Sequence, residues 1–216
     1  MTTYAVGDLH GRYDLLDAAL TQHPTAHFVF LGDYIDRGPD SKRVLRKVLE
    51  LAESGRAVLL WGNHEELAWQ SIVCNSQGAW HCWQSNGGGD AYRSYSEELE
   101  ALRSDLVRLV KVSKMPFYIH AGETGNVLLC HAVVPAPVVF TAEHDGRNDE
   151  HLWNRPNDPA HPLPSDCIVS VHGHTPMAEP TFDAINKRWF IDLGSFKYGR
   201  VGLLDLDTLE PSVVAV

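Results

Sequence analysis

The sequence predicts an α/β fold whose first half alternates strands with helices and whose second half consists mainly of strands. Three observations carry this prediction. The chain has 216 residues, a length typical of one domain. Up to about residue 115, short apolar runs alternate with stretches of helical periodicity, and after it apolar runs follow one another with little helical signal. The alternation in the first half favours parallel strands joined by right-handed crossovers. Because the length is typical of one domain, we expect both halves to share one core.

The first half contains three predicted strands separated by two predicted helices. The strands are the apolar runs Tyr4–Val6, His27–Leu31 and Ala57–Trp61, and each is followed directly by glycine. The helices are Asp14–Gln22 and Asp40–Ser54. Apolar residues recur at helical spacing along the second helix, a proline precedes it and a glycine follows it, which are start and stop signals.

The rest of the chain is predicted to contain two helices, two loops and six strands. The helices are Glu65–Gln77 and Glu97–Lys111. The glycine-rich segment Ser85–Asp90 reads as a loop, and Glu143–Pro164, rich in Pro, Asn, Asp and His, reads as a long one. The remaining strands are Phe117–His120, Val127–His131, Cys167–Val171, Trp189–Leu193, Val201–Leu206 and Ser212–Val216.

Composition restricts the class of partner and the compartment. The formal net charge of −10 argues against nucleic-acid or membrane-surface binding, and no apolar run is long enough to span a membrane. The first residues, Met1–Val6, lack the basic and apolar regions of a signal peptide, so we expect a cytoplasmic protein. The four cysteines form no C-x-x-C pair; Cys74 and Cys82 could pair under oxidising conditions, but buried or partly buried free thiols are favoured.

Five short segments share one design, in which an apolar strand is followed by polar residues beside glycine. Because ligands bind beyond the carboxyl ends of strands, these segments are expected to bring Asp, Asn and His side chains to one rim. Such oxygen and nitrogen donors suit Mn²⁺, Zn²⁺ or iron. Because several carboxylates occur with several imidazoles, we expect two metal ions. Two ions can bind a bridging water, lower its pKa and stabilise a phosphoryl oxygen while that water attacks phosphorus. Each segment alone would be an ordinary turn. The segments are Val6–Gly11, Leu31–Gly38, Trp61–Glu65, Leu129–Ala132 and Val171–Pro176.

These segments resemble the signature of the phosphoprotein phosphatases, a branch of the metallophosphoesterase superfamily. The matching motifs are GDLHG (7–11), GDYIDRG (32–38), GNHE (62–65), the histidine of LCHA (129–132) and GHTP (173–176). Three further segments, NGGG (86–89), WNR (153–155) and FIDLG (190–194), are most similar to the small bacterial and phage enzymes of the bacteriophage lambda type. The resemblance implies a metallophosphoesterase fold, a single domain over 1–216 with a β-sandwich core flanked by helices.

The resemblance also implies a centre of two divalent metal ions, Mn²⁺ in preference to Zn²⁺ or iron. Two residues would bind the first ion, one would bridge both ions, and three would bind the second. In that order these are Asp8 and His10, then Asp33, then Asn63, His131 and His174.

Four further residues are implied to act on the substrate. His64 would protonate the leaving oxygen, and Asp36 would hold its imidazole in orientation. Arg37 and Arg155 would hold the phosphate, because the donors of a guanidinium match a tetrahedral oxyanion. A serine alkoxide leaves poorly, so a proton donor beside the metal ligands is chemically useful.

Several of these assignments have plainer alternatives. Asp36 could merely cap its turn, and Arg155 could be an ordinary surface arginine. His172 lies close to the proposed ligand His174, which is chosen because the family places its ligand directly after glycine. Glu65 opens a predicted helix, where an acidic residue favours the positive end of the dipole, and that suffices to explain it.

The predicted activity is hydrolysis of phosphoserine and phosphothreonine on protein or peptide substrates, with phosphotyrosine as a further substrate, by attack of a metal-bridging hydroxide. One alternative is a symmetrical diadenosine tetraphosphatase, which resembles the same motif set. Another is an inactive phosphoprotein-binding module, against which the complete ligand set and an intact His64 argue.

Overall fold

The computed structural model describes residues 2–96, 98–134, 150–158 and 161–216. These ranges contain eleven strands, numbered in chain order. They are β1 (Thr3–Val6), β2 (His27–Phe30), β3 (Ala57–Leu60), β4 (Ser113–Lys114), β5 (Phe117–Gly122), β6 (Gly125–Cys130), β7 (Cys167–His172), β8 (Thr181–Asp183), β9 (Arg188–Phe190), β10 (Arg200–Asp205) and β11 (Pro211–Ala215).

The same ranges contain eight α-helices. Two π-helical turns, Trp69–Val73 and Gln84–Gly88, follow the third and fourth of them. The helices are α1 (Tyr13–Gln22), α2 (Ser41–Glu53), α3 (Asn63–Ala68), α4 (Gln77–Trp83), α5 (Gly89–Ser94), α6 (Leu99–Val112), α7 (Glu150–Trp153) and α8 (Ser195–Tyr198).

The strands form two mixed sheets. The six-stranded sheet has the order β11-β10-β1-β2-β3-β4. Strands β1 to β4 are parallel to one another, and β10 is antiparallel to both of its neighbours, β1 and β11. The five-stranded sheet has the order β5-β6-β7-β9-β8, and its strands β6, β7 and β9 are parallel. Residues of both sheets, such as Val29 and Leu60 from one and Val127 and Val171 from the other, form one buried cluster between them.

The helices cover the outer face of the six-stranded sheet. The apolar face of α2, with Val44, Leu45 and Val48, packs into a second buried cluster together with Leu106 of α6. Burying each such side chain contributes roughly 1.5–3 kcal/mol. The α/β fold with a two-sheet core flanked by helices, expected from the sequence, is therefore confirmed.

The region after β3 departs most from the sequence-based prediction. The helix predicted over Glu65–Gln77 ends in a π-helical turn at Val73. The segment Ser85–Asp90, predicted as a loop, continues a π-helical turn that is kinked at Gly87, where φ is 104°, and then enters α5. The cause is local packing, because a Cβ on Gly88 would collide with the indole of Trp83, five residues earlier in the chain. The glycine at this position is required for close packing and does not mark a loop.

The other predictions fall partly outside the described residues. Of the predicted long loop over Glu143–Pro164, residues 143–149 and 159–160 lie outside the described residues, and the described part contains α7.

All four cysteines are free. Cys74 and Cys82 are exposed, so the prediction that they are at least partly buried was wrong. None of the helices in the described ranges has the length and apolar character needed to cross a membrane.

Candidate metal centre

Strand ends from both sheets converge at one edge. Asp8, Asp33 and Asn63 follow β1, β2 and β3, while His131 and His174 follow β6 and β7. Backbone hydrogen bonds join neighbouring loops. The amides of Leu9 and His10 donate to the carbonyl oxygen of Asp33, at 3.1 and 2.8 Å. The amide of Gly173 donates to the carbonyl oxygen of His131 at 2.8 Å. The six predicted metal ligands therefore come from loops at the same rim, as the sequence predicted.

The carboxylate of Asp33 lies at the centre of this rim. It is 3.5 Å from the Nε2 atoms of both His10 and His131, and the side chain is only 2% exposed. Burial opposes its ionisation, but the surrounding imidazoles of His131, His64 and His10 lower the pKa of Asp33 below its ordinary value. A carboxylate that stays ionised among histidines is suited to bridging two cations.

Asp33 belongs to two groups of side chains that could each hold a metal ion. In the first, its ligand atoms and those of His131 and His174 lie within 4.8 Å of one another. The Oδ1 atom of Asn63 lies 2.9 Å from His131 Nε2 and 3.0 Å from His174 Nδ1, so it completes the predicted second metal site. This set of oxygen and nitrogen donors fits a divalent ion.

The second group consists of His10, Asp33 and His64, again within 4.8 Å. The predicted ligand Asp8 is not in this group; both of its oxygens accept the amide of His174, at 3.1 and 3.0 Å. The guanidinium Nη1 of Arg37 lies 2.7 Å from His10 Nε2. An ion binding at that nitrogen would require Arg37 to move aside.

Backbone carbonyl groups orient two of the imidazoles. His10 Nδ1 lies 2.9 Å from the oxygen of Ile35, and His131 Nδ1 lies 2.8 Å from the oxygen of Leu31. Each of these nitrogens therefore carries the proton, which leaves Nε2 with a free lone pair. Burial lowers the pKa of both histidines, so both are neutral near pH 7, the form that binds metal.

His64 is held by a buried hydrogen-bonded chain. Its Nδ1 lies 2.7 Å from Asp36 Oδ2, and the indole of Trp83 donates to both oxygens of Asp36, at 3.0 and 2.9 Å. Burial disfavours the imidazolium, but the carboxylates of Asp33 and Asp36 outweigh it and raise the pKa of His64. Asp36 thus does more than cap its turn, and Trp83 is a site residue that no sequence signal marked.

The centre opens into a cleft of about 330 Å³. Arg155 is exposed on its rim, where its Nη1 makes a long contact of 3.5 Å to Thr175 Oγ1, so the guanidinium is available to a ligand. The described residues that line the cleft are Asp33, Arg37, Asn63, His64, Asn86, Trp153, Arg155, His174, Pro176 and Phe196.

Left-handed backbone conformations are concentrated at this site. This region is uncommon for any residue but glycine, and where other residues adopt it the surrounding structure must hold them. It is occupied by five site residues with φ between 43° and 73°, namely His10, Asp33, Asp36, Arg37 and His174.

Glu65 holds the loop that carries Asp33. Its buried carboxylate accepts the amides of Asp33 at 2.8 Å, Tyr34 at 2.9 Å, Gly62 at 3.2 Å and Ile35 at 3.3 Å. The plain explanation of Glu65 as an acidic residue opening a helix was therefore insufficient. No local pattern could have revealed these contacts, because three of the donors are 30 to 32 residues away in sequence.

Replacing Glu65 with glutamine is expected to destabilise the protein by about 1–3 kcal/mol. The new NH₂ group would face backbone N–H donors, so at least one buried amide would lose its acceptor. Urea unfolding measures the difference. The matched control is Glu66→Gln, whose partly exposed side chain bonds Trp61 and Gln70 and should change the free energy of unfolding less. Equal effects of the two substitutions would contradict this role for Glu65.

Asp192 is a second acidic residue that sequence reasoning left without a role. It is 2% exposed, and its Oδ1 accepts the amide of Gly194 at 2.8 Å. Burial raises its pKa to about 6, and its charge in turn contributes to the raised pKa of Asp8. The segment FIDLG (190–194) contains Asp192, but its resemblance assigned no role to this aspartate.

The two-sheet fold with this rim of Asp, Asn and His side chains is that of a metallophosphoesterase. The sequence model of the calcineurin-like phosphoesterases matches residues 1–207. The chain belongs to this family and is a phosphoesterase, and its donor set fits the dinuclear divalent metal centre that the family uses.

Its relatives include enzymes with two kinds of substrate. An asymmetrical bis(5'-nucleosyl)-tetraphosphatase from Oceanobacillus iheyensis is 28% identical over 88% of this chain and 82% of its own. A symmetrical one from Photorhabdus laumondii is 48% identical over 30% of this chain and 24% of its own. A PP2A-like serine/threonine-protein phosphatase from Saccharomyces cerevisiae is 29% identical over 73% of this chain and 42% of its own.

Solved structures support the fold at lower sequence identity. A protein serine/threonine phosphatase from Saccharomyces cerevisiae superimposes with a TM-score of 0.67 at 14% identity, over 100% of this chain and 80% of its own. A cold-active protein-tyrosine phosphatase from Shewanella sp. gives a TM-score of 0.62 at 16% identity, over 99% and 80%.

Proposed function

We propose that the chain hydrolyses phosphoserine and phosphothreonine on protein or peptide substrates, with two divalent metal ions, preferably Mn²⁺. Within the family, its segments NGGG, WNR and FIDLG favour the small lambda-type phosphatases. When bound, the ions lower the pKa of a water molecule and stabilise phosphoryl oxygens. The other parts of the reaction fall to side chains of the chain itself.

The observation that carries this proposal is the buried pair of His64 and Asp36. A serine or threonine leaves as a strongly basic alkoxide and needs a proton, which His64 can donate from Nε2 while Asp36 holds Nδ1 at 2.7 Å. A phosphoanhydride is cleaved with a weakly basic phosphate as leaving group, so it gains less from such an acid. Arg37 and Arg155 line the same cleft and can hold the phosphate dianion.

The size of the cleft also favours a phosphorylated side chain. About 330 Å³ is near the lower end of the range for small-molecule sites, roughly 300–1,000 Å³, and would hold one phosphate with its stem more readily than two nucleosides. The overall charge of −10 does not oppose an anionic substrate, because two cations and two arginines would make the cleft locally positive. The free thiols fit a cytoplasmic location, which stays a prediction.

A second candidate function is hydrolysis of dinucleoside tetraphosphates. Two relatives carry that activity in their names. Trp153 and Phe196 line the cleft with 39% and 38% of their surfaces exposed, and exposed aromatic rings of this kind can stack on a nucleobase.

A comparison of substrates distinguishes the two functions. The protein, stripped of metal and refilled with Mn²⁺, should show a higher kcat/KM for a phosphoserine peptide than for diadenosine tetraphosphate. p-Nitrophenyl phosphate, assayed in parallel, reports whether the centre is loaded. A kcat/KM for diadenosine tetraphosphate well above that for every phosphopeptide would make the second function correct and leave the assignment of the metal centre intact.

A further inference from the structure

A second cavity, of about 530 Å³, lies between α1, α2 and α5. Four cationic side chains of α2 line it, Lys42, Arg43, Arg46 and Lys47, together with Tyr13 at the start of α1. We call it the basic cavity. Four cations within six residues stand out in a chain whose net charge is −10.

These four cations lie where the electrostatic field of the helix is unfavourable to positive charge. They occupy the first two turns of α2, where the positive end of the helix dipole disfavours cations, and the first turn has no acidic residue. Lys42 and Arg46 are four residues apart, as are Arg43 and Lys47, and like charges at this spacing repel. Departures from such local rules are expected where a ligand is bound.

Two of the four cations are engaged by carboxylates. Arg46 Nε lies 2.8 Å from Asp105, and Lys47 Nζ lies 3.0 Å from Glu50, which also lines the cavity. Asp40 is the other carboxylate on its wall. With Asp105 counted, four cations face three carboxylates, and among the described residues Lys42 and Arg43 are the two cations without an ion pair.

The other two cations, Lys42 and Arg43, lie against aromatic rings. The Cζ of Arg43 is 3.7 Å from the ring centre of Tyr13, and the Nζ of Lys42 is 5.4 Å from that of Tyr95. Within the described ranges neither one lies within ion-pair distance of a carboxylate. The rings restrain both side chains without neutralising them, so their charges are available to an anion.

The start of α2, which lines the basic cavity, is joined directly to a loop of the metal centre. Helices α1 and α2 follow β1 and β2, so both begin at the carboxyl ends of these strands. Asp36 donates its amide to Ser41 Oγ at 3.0 Å, which ties the start of α2 to the loop of the metal centre. Lys42 is five residues after Arg37, so their Cα atoms are at most about 18 Å apart, a distance that about five extended residues span.

We propose that the basic cavity binds acidic side chains located within about five residues of the phosphorylated residue in a protein substrate. The inference rests on the proposed phosphatase function and adds to it a preference for acidic phosphopeptides. Lys42 and Arg43 would form the two principal ion pairs.

The test compares two phosphoserine peptides on the Mn²⁺-loaded enzyme. One has aspartates on both sides within five residues, and the other has asparagines in their places. Two ion pairs at an exposed site predict a preference of about three- to tenfold in kcat/KM for the acidic peptide, mainly through KM and weakening as salt is raised. Lys42→Gln combined with Arg43→Gln should reduce the ratio to about one and leave the rate on p-nitrophenyl phosphate unchanged. The matched control, Lys111→Gln combined with Lys114→Gln, removes two exposed cations elsewhere and should keep the preference.

A direct binding measurement separates this proposal from the phosphatase function itself. A fluorescently labelled acidic peptide without phosphate should bind the wild-type protein and the Lys111/Lys114 control, and lose affinity in the Lys42/Arg43 variant. This outcome would support the cavity even if no phosphopeptide were hydrolysed. Tripolyphosphate, tested as a second probe, reports whether the cavity binds inorganic phosphate chains instead. The proposal would be overturned if all three proteins had the same preference for the acidic phosphopeptide or the same affinity for the labelled peptide. It would also be overturned if the wild-type protein bound tripolyphosphate but not the peptide.

Discussion

Substitution of Asp33 by asparagine is expected to weaken binding of both metal ions and to lower kcat by roughly 10³-fold or more. Its carboxylate belongs to both groups of ligand atoms, at 3.5 Å from His10 Nε2 and from His131 Nε2. An amide is neutral and offers one oxygen, so neither ion would keep its shared anionic ligand. Loss of metal assistance corresponds to several kcal/mol of transition-state stabilisation.

Metal analysis after dialysis, together with the rate on p-nitrophenyl phosphate, measures this effect. The control is Asp17→Asn, an exposed aspartate of α1 whose loss should change neither the metal content nor the rate. Two equivalents of metal in Asp33→Asn with activity retained would disprove the bridging role. Loss of one equivalent alone would place Asp33 in a single site.

Replacement of His64 by asparagine is expected to lower kcat on phosphopeptides by roughly 10²–10⁴-fold while the metal content stays unchanged. The imidazole is bound through Nδ1 to Asp36, and its Nε2, 4.0 Å from Asp33, faces the cleft. Under the proposed function it would donate the Nε2 proton to the leaving oxygen. The loss should be smaller on p-nitrophenyl phosphate, whose leaving group needs little protonation.

The pH profile gives a second measure of the same role. The carboxylates of Asp33 and Asp36 raise the pKa of His64 against the effect of burial, so kcat should fall as pH rises through that pKa. Removing one carboxylate by Asp36→Asn should lower the pKa and move the alkaline limb of the profile to lower pH. A uniform loss on all substrates, a limb that does not move, or a loss of metal, as expected if His64 were a ligand beside His10 and Asp33, would argue that His64 is not the acid.

The convergence of the predicted ligands at one rim could be predicted from sequence because these side chains follow strand ends. Asp33 and Asn63 lie directly after glycines that close short apolar runs, so parallel pairing alone brings them to one edge. His131 and His174 come from the second sheet, where the same pattern of strand and glycine holds for His174.

The residues that support the ligands could not be predicted because their partners are distant in sequence. Trp83 bonds Asp36 across 47 residues, and Glu65 reaches the amide of Asp33 across 32. The sequence alone does not show whether a tryptophan or a glutamate faces solvent, the core or a distant backbone amide. The segment around Gly88 was misjudged for a different reason, because its glycine is needed for packing against the ring of Trp83, only five residues earlier.

The pairing of β1 with β10 constrains how the protein matures on the ribosome. Strand β1 is hydrogen-bonded to Arg200–Asp205, and Asp8 accepts the amide of His174 from 166 residues further along the chain. At about 5–20 residues per second, the ribosome needs roughly 10–40 s to make the intervening segment, during which β1 has β2 on one side and an unpaired edge on the other. A nascent chain therefore cannot assemble the full ligand set, and hydrolytic activity switches on only once most of the polypeptide has emerged.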